Sequence, residues 1–328
     1  MRTKRLTLAI TTAVVAIALS GCSIGLGTAG GFSRSGTLAG PVDGIDLDGA
    51  SLSVGSKNFT EQILLGKMTV ILLKSAGADV QDLTNIPGSA AAREAQLAGQ
   101  VELGWEYTGT AWLTYLNNAK PIPDERKQYI ATRDADLREN NLVWLPPTPM
   151  NDTYTMAISA ESAKKYKITK LSEMSKVPPA ERTFCVESEF TNRPDGLKGM
   201  LEAYDLPLDS PKGIPRENLR TLQTGAIYDA TAKGDCTFGE VFTTDGRIEA
   251  LDLTALEDDR SFFPKYNASL VVRQQVLEEH PEIEKLFAPV SEKLTNEVIA
   301  GLNAEVDVDG REPSEVAWEW LCDEGLVR

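Results

Sequence analysis

Histidine is almost absent from this chain, which contains a single one, His280, among 328 residues. A Ser-His-Asp or Cys-His site needs a histidine as general base, and the acidic surroundings of His280 predict an exposed side chain. Metal-binding patterns are equally scarce: the cysteines lack the paired spacing of a zinc site, and acidic neighbours such as Asp258 and Asp259 lack the ligand spacing of a calcium site. The sequence therefore argues against an enzyme and predicts neither a metal nor a cofactor.

Long apolar runs and basic residues are also in short supply. After Leu19 no apolar stretch approaches the ~20 residues that a membrane-spanning helix needs. The chain has 33 Lys and Arg against 48 Asp and Glu, a net charge of −15. Because nucleic-acid binding depends on phosphate neutralisation by Lys and Arg, this balance excludes nucleic acid as an expected partner. The acidity favours solubility and does not identify a ligand.

The N-terminus has the features of an export signal. Arg2, Lys4 and Arg5 precede an apolar run over 6–19, and small residues lead to Cys22 in the sequence LSGC. This stretch resembles the lipobox of bacterial lipoproteins, in which the cysteine is lipidated and becomes the new N-terminus. The alternative is an ordinary secretory signal with a chance cysteine. The resemblance predicts a signal peptide over 1–22 and a lipid anchor at Cys22 on the outer face of the cytoplasmic membrane.

Beyond the cysteine, the composition changes twice. Residues 23–50 are rich in Gly, Ser and Ala and predict a flexible tether. From residue 51 strands and helices alternate, with strands near 52–54, 80–86 and 101–105 and with Thr60 as the expected N-cap of the first helix. This β-α-β-α-β order predicts an α/β sheet with parallel strands.

A second unit of the same kind begins near residue 153. Its predicted strands cover 154–159, 183–187, 219–222 and 237–241. One more strand is expected at 269–273, and the C-terminal third is predicted to be mostly helical. Two α/β lobes with a cleft between them are the simplest layout for this pattern.

Several aromatic side chains lie beside the ends of these strands, where a cleft would be lined. They occur in the sequences WEYTGT after the third strand, NDTY at the start of the second unit and FFPKY near the return to the first. Each ring on its own is as well explained by core or lid packing. Together they suggest a ring-lined cleft.

Five sequence stretches, in order, resemble the substrate-binding proteins of osmoprotectant ABC transporters, which bind glycine betaine, carnitine, choline or proline betaine. The two most specific are SKNFTEQ from residue 56 and EYTGTA from residue 106. SEFTNRPDGL, VFTTDG and FPKY follow in the same order. The resemblance extends from about residue 51 to the C-terminus.

This resemblance implies the type II periplasmic-binding-protein fold, a two-lobed Venus flytrap with a mostly parallel sheet in each lobe. Lobe I would comprise 51–152 and 265–328, and lobe II would comprise 153–264. The ligand would bridge both lobes and favour closure. The protein would act as a monomer and deliver the ligand to permease and ATPase subunits that are separate chains.

The resemblance also implies roles for individual side chains. A trimethylammonium group cannot donate a hydrogen bond, so aromatic faces would hold it. Carried over by motif, the walls of this cage would be Tyr107, Tyr154, Phe242 and Tyr266. The groups around the ligand's carboxylate would be Lys57, Arg193 and Thr110. Nothing in this set is catalytic.

Phe242 departs from the family pattern, in which a tyrosine usually stands at this position. A phenylalanine keeps the π face and loses the hydroxyl, so the exact ligand stays open. One alternative keeps the fold and changes the ligand to ergothioneine or an aromatic compound. Another is a lipid-anchored enzyme, or a sensory or adhesion module on the same scaffold.

The lobe assignment constrains the three cysteines that follow Cys22. Cys185 and Cys236 both fall at second-lobe strands, whereas Cys322 falls in a C-terminal helix of the first lobe. A bond from Cys322 to either of the others would staple the lobes together and hinder closure. The expected disulfide is therefore Cys185–Cys236, and the alternative is three free thiols.

Overall fold

The computed structural model of the protein describes residues 33–328. Its strands are β1 (Ser51–Lys57), β2 (Asp79–Ile86), β3 (Leu103–Tyr107), β4 (Leu142–Trp144), β5 (Tyr154–Ser159), β6 (Phe184–Val186), β7 (Leu219–Thr221), β8 (Phe238–Phe242), β9 (Leu253–Ala255) and β10 (Ala268–Arg273). Its helices are α1 (Thr60–Ser75), α2 (Ser89–Leu97), α3 (Thr108–Thr110), α4 (Glu125–Asn140), α5 (Ala160–Tyr166), α6 (Ser188–Asn192), α7 (Leu197–Ala203), α8 (Thr224–Ala232), α9 (Arg247–Ala250), α10 (Gln274–Glu279), α11 (Glu282–Lys293), α12 (Asn296–Asp307) and α13 (Pro313–Asp323). The predicted signal peptide and the lipidation site at Cys22 lie outside the described residues.

The strands form two five-stranded sheets. The first has the order β2-β1-β3-β10-β4 and the second has the order β7-β6-β8-β5-β9. Each sheet with the helices packed on it is one lobe, so the predicted two-lobed α/β fold is confirmed. We call the lobe that contains β1 the first lobe and the lobe that contains β5 the second lobe.

The expectation of mostly parallel sheets is wrong. Each sheet has two parallel and two antiparallel pairings. The antiparallel pairings all involve β5 or β10, which are the first strands after the chain crosses into the second lobe and back again. A strand that arrives from the other lobe enters its sheet from the cleft side and therefore runs opposite to its neighbours.

Helix α1 is the central helix of the first lobe. It is buried along most of its length because it packs on β1 and β2 on one side and on α12 and α13 on the other. Gly66 allows the close approach to β2, since a Cβ there would lie 2.6 Å from the Thr84 side chain. The predicted N-cap at Thr60 is wrong by one residue: Phe59 is the N-cap, and the Thr60 hydroxyl donates to Asp307 over 2.6 Å.

The described part of the predicted tether packs against the first lobe. Thr37 and Arg328 exchange backbone hydrogen bonds of 2.9 and 3.0 Å, and the side chains of Leu38, Val42 and Leu47 are buried in the core. Few apolar residues occur in this segment, but these three are enough to fix it on the first lobe. The prediction of a flexible tether as far as residue 50 is therefore wrong for 37–50.

Two adjacent crossover segments join the lobes. Asn151 and Asn267 form an isolated antiparallel bridge between them. The Tyr266 amide donates to the Asn151 side chain over 2.7 Å, and the Asn267 side chain donates to the Met150 carbonyl over 3.0 Å. These bonds hold the two connections side by side directly behind the cleft.

Candidate functional site

A cavity lies between the two lobes and is lined by side chains of both. The strand ends β1, β3 and β8 and the start of β5 all point at it, as expected for a cleft at the carboxyl edge of α/β sheets. Its wall includes every side chain predicted to hold a ligand, namely Lys57, Tyr107, Thr110, Tyr154, Arg193, Phe242 and Tyr266. Their role as ligand contacts stays a prediction.

Aromatic rings from both lobes meet in the wall of this cavity. The Tyr154 ring centroid lies 5.1 Å from that of Phe242 and 5.6 Å from that of Tyr266, and the latter pair is nearly perpendicular at 86°. Because the two lobes contribute different walls, this set of rings is complete only when the lobes are together.

Phe59 is a ring that the sequence analysis did not assign. Its centroid lies 5.2 Å from that of Phe242 and 6.2 Å from that of Tyr107, so it fills the gap between two predicted walls. The residue lies in the SKNFTEQ stretch that carried the family resemblance, directly before α1. Its place in that stretch, two residues after Lys57, was the signal that could have identified it.

Two cations, Lys57 and Arg193, also line the cavity, and both are already ion-paired. The Lys57 ammonium lies 2.8 Å from the Glu106 carboxylate and 4.9 Å from the Tyr107 ring centroid. The Arg193 guanidinium makes a two-pronged bond with Asp195, at 2.9 and 2.6 Å, and a contact of 3.2 Å with Glu189. These side chains are almost fully buried, which explains the pairing because an isolated buried charge is costly.

These side chains and the neighbouring Thr110 nevertheless keep spare hydrogen-bond donors. Arg193 donates to the Thr110 hydroxyl over 3.2 Å, and among residues 33–328 the Thr110 proton has no acceptor. Within the same range Lys57, which has three protons, contacts one carboxylate, and one Nη1 proton of Arg193 has no acceptor there. Lys57, Thr110 and Arg193 can therefore still receive an incoming anionic group.

Three carboxyl groups that were not predicted as ligand contacts also line the cavity. Asp152, Glu187 and Glu189 form part of the wall. Burial raises the pKa of Glu187, whereas for Glu189 burial is outweighed by the Ser89 hydrogen bonds and the net pKa is lowered. The Ser89 amide of the first lobe donates to Glu189 of the second over 3.0 Å, so this carboxylate also joins the lobes.

The phenols of the cage stay protonated. Burial raises the pKa of Tyr107, Tyr154 and Tyr266 well above the ordinary range. Their faces therefore present the electron-rich side of a neutral ring. Such faces attract a cation that has no proton to donate.

A disulfide lies behind the site, within the second lobe. It joins Cys185 of β6 to Cys236, just before β8, with the Cα atoms 5.7 Å apart. Cys322 of α13 has a free thiol. The bond links neighbouring strands of one sheet and does not cross the cleft.

The chain is similar to known families and structures. The model for "substrate binding domain of ABC-type glycine betaine transport system" matches residues 50–323. A glycine-betaine-binding protein of Pseudomonas aeruginosa is 36% identical over 285 residues, covering 84% of this chain and 89% of the relative. An ergothioneine transport permease/ergothioneine binding protein of Helicobacter pylori is 31% identical over 84% of this chain, which corresponds to 48% of that longer protein.

The structural comparison agrees with the sequence comparison. A crystal structure described as a glycine betaine/carnitine/choline ABC transporter superposes with a TM-score of 0.68 at 27% identity, covering 83% of this chain and 98% of that one. The family match spans both lobes and every residue of the cavity wall. The chain therefore belongs to the family of substrate-binding domains of ABC-type glycine betaine transport systems.

Proposed function

We propose that the cavity binds glycine betaine or a related quaternary ammonium osmoprotectant such as carnitine, choline or proline betaine. The observation that carries this proposal is a cavity wall that combines aromatic rings with side chains that have spare hydrogen-bond donors. A betaine combines a methyl-capped cation, which suits the rings, with a carboxylate, which suits the donors. The name of the Pseudomonas aeruginosa relative supports the same ligand class.

The aromatic rings of the cavity wall suit the trimethylammonium group. A cation over an aromatic face gains about 0.5–2 kcal/mol, and more when water is excluded. Rings from Tyr107, Tyr154, Phe242 and Tyr266, with Phe59 beside them, would together supply several kcal/mol. A micromolar affinity corresponds to about 8 kcal/mol, so the cage could account for much of it.

The spare hydrogen-bond donors suit the carboxylate. Lys57, Thr110 and Arg193 come from three different elements, and each has a donor to spare. Their counter-ions, Glu106, Asp195 and Glu189, keep the site from carrying excess positive charge before the ligand enters. We propose that the carboxylate takes these spare donors without displacing the existing ion pairs.

Ergothioneine is the second candidate ligand. It combines a trimethylammonium group and a carboxylate with a thiol-imidazole ring, and a relative from Helicobacter pylori carries its name. Glu187 and Thr224 line the cavity beyond the cage, where a betaine alone offers no partner for them. A ring N–H would give Glu187 such a partner.

The proposed setting is the outer face of the cytoplasmic membrane. A lipid on Cys22 would anchor the protein there, and permease and ATPase subunits would be separate chains. Within residues 33–328, none of the helices combines the length and apolarity that crossing a bilayer requires. We further propose that the protein acts as a monomer and releases its ligand unchanged, with 51–152 and 265–328 moving as one lobe and 153–264 as the other.

Titration calorimetry with glycine betaine, carnitine, choline, proline betaine and ergothioneine tests the proposal. We expect micromolar or tighter binding of at least one betaine. Tyr107→Ala should abolish that binding, whereas Tyr166→Ala, which removes a ring from α5 outside the cavity, should leave it unchanged. Arg193→Ala should weaken betaine more than choline, because choline has no carboxylate.

The proposal is refuted if no quaternary ammonium binds, or if Tyr107→Ala binds every ligand as well as the parent. A preference for ergothioneine over glycine betaine would select the second candidate. In that case Glu187→Gln should weaken ergothioneine and spare glycine betaine.

A further inference from the structure

Two buried carboxyl groups meet at one hydroxyl beside the cage. The Thr244 hydroxyl lies 2.6 Å from Glu61 and 2.7 Å from Asp152. The Tyr107 hydroxyl donates to the other Glu61 oxygen over 2.6 Å. Glu61 thus joins a wall of the cage to a residue of the opposite lobe.

The three members of this cluster come from different parts of the fold. Glu61 is in the first turn of α1 in the first lobe, and Thr244 follows β8 in the second lobe. Asp152 lies in the crossover segment between them. Any separation of the lobes moves Thr244 away from Glu61 and opens this contact to water.

Proton counting constrains the cluster. A threonine hydroxyl has one proton and can donate it to one acceptor only. Both carboxylates are within hydrogen-bond distance of that hydroxyl, and two unshielded charges this close in a buried site repel each other strongly. One carboxyl must therefore be protonated and donate to the Thr244 oxygen, while the other accepts the Thr244 proton.

We propose that Glu61 and Asp152 share one proton through Thr244 when the lobes close, so that ligand-induced closure takes up a proton. Glu61 is then a positioning residue, which orients Tyr107 in the cage and bonds to the second lobe at the same time. The inference rests on the proposed function, because it assigns closure to a ligand in the cavity.

The surroundings favour the protonated form. Burial raises the pKa of both Glu61 and Asp152, and the nearby Asp245 carboxylate raises it further. Opposing cations are few: Lys57 lowers the pKa of Asp152 but is paired with Glu106.

The remaining neighbours do not neutralise the pair. Arg247 of α9 is bonded to Asp245 and lies 3.3 Å from Asp307 of α12, so its charge is already balanced. Asn303 of α12 donates to the Thr244 carbonyl over 2.9 Å and is uncharged. The added proton is therefore the available means of removing the second negative charge.

The sign of the pH dependence follows from this arrangement. In the open state the carboxyls are exposed to water, so the burial that raises their pKa values is relieved and both ionise more readily. In the closed state the pair keeps a proton to higher pH. Ligand affinity should therefore be fully present at low pH and fall as pH rises, by up to about tenfold per unit, until the closed pair also ionises.

Calorimetry of glycine betaine binding at pH 7, in buffers of different ionisation enthalpy, measures proton uptake directly. We expect net proton uptake on binding by the parent. Glu61→Gln should still bind, because the amide can accept from Tyr107 and donate to Thr244, but its uptake and the pH dependence of its Kd should vanish. The matched control is Glu240→Gln, which neutralises another fully buried carboxyl that lies within the second lobe and should leave the uptake unchanged. Absent uptake in the parent, or equal uptake in Glu61→Gln, overturns the inference.

A ligand-free measurement separates this inference from the proposed function. Spin labels at two exposed positions, Arg126→Cys in the first lobe and Lys164→Cys in the second, in a Cys322→Ser background, report the distance between lobes. We expect the closed fraction to rise as pH falls in this background and to be independent of pH once Glu61→Gln is added. If no quaternary ammonium binds, the proposed function fails. The distance between the lobes still shows whether closure takes up a proton at Glu61 and Asp152. A closed fraction with the same pH dependence in both proteins refutes it.

Discussion

Replacing Tyr154 by leucine tests whether the cage holds a positive charge or merely an apolar shape. Tyr154 is only 9% exposed and its ring contacts those of Phe242 and Tyr266. Leucine keeps much of the apolar contact and removes the π face. One ring contributes about 0.5–2 kcal/mol to binding a cation, so the dissociation constant of glycine betaine should rise about 2- to 30-fold.

A neutral isostere makes this test specific. In 3,3-dimethylbutanoate a carbon atom replaces the nitrogen of glycine betaine, so that shape and carboxylate are kept and the positive charge is lost. We expect the parent to bind this compound weakly and Tyr154→Leu to bind it about equally well. Calorimetry with both ligands gives the difference that belongs to the charge.

A conservative variant completes the comparison. Among residues 33–328 the Tyr154 hydroxyl makes no hydrogen bond, so Tyr154→Phe should bind glycine betaine within about a factor of three of the parent, since phenylalanine keeps the ring face. Thermal unfolding of each variant checks that the second lobe is intact. If Tyr154→Leu weakens both ligands equally, the ring acts by packing alone and the cation–π reasoning is refuted.

Three further predictions concern stability and closure. Replacing Cys185 and Cys236 by serine should lower the unfolding free energy by about 4 kcal/mol in denaturant titrations, because the bond closes a loop with a sequence separation of 51; an unchanged midpoint would contradict this. Burial raises the pKa of Glu240 to about 8, so the folded state holds a proton that the unfolded state has lost above about pH 5; stability should fall as pH rises from about 5 to 8, and Glu240→Gln should reduce this slope. Gly246 has ordinary helical dihedrals, but a Cβ there would lie 2.5 Å from the Ala304 side chain across the lobes. Gly246→Ala should therefore weaken ligand binding about tenfold in calorimetry, since overpacking costs about 1–3 kcal/mol, and equal affinity would show that the contact does not limit closure.

The sequence predicted the lobes and the cavity wall because the relevant signals are local. Alternating strands and helices indicate α/β units wherever they occur, and Tyr107 and Tyr154 each lie at a strand end that faces the cleft. The seven predicted contact residues were assigned from the family resemblance, and the fold places all of them on one cavity. Their ligand contacts stay a prediction until a complex is measured.

What the sequence did not predict depends on residues far apart in the chain. The pairing of Lys57 with Glu106 joins positions 49 residues apart, and no local pattern announces it. Glu61 looked like an ordinary acid in the first turn of a helix, and its partner Thr244 is 183 residues away. Segment 37–50 looked like a linker by composition, because a few well-placed apolar side chains outweigh many small polar ones.

If a lipid on Cys22 anchors the protein as proposed, the pairing of Thr37 with Arg328 limits how far the first lobe can lie from the membrane. A lipid at Cys22 would be followed by 14 residues before Thr37, and a fully extended chain spans at most about 3.5 Å per residue. The leash could therefore be no longer than about 50 Å, comparable to the thickness of one bilayer with its headgroups. Because Arg328 is bonded to Thr37, a fusion partner attached to Arg328 would lie where that leash meets the first lobe.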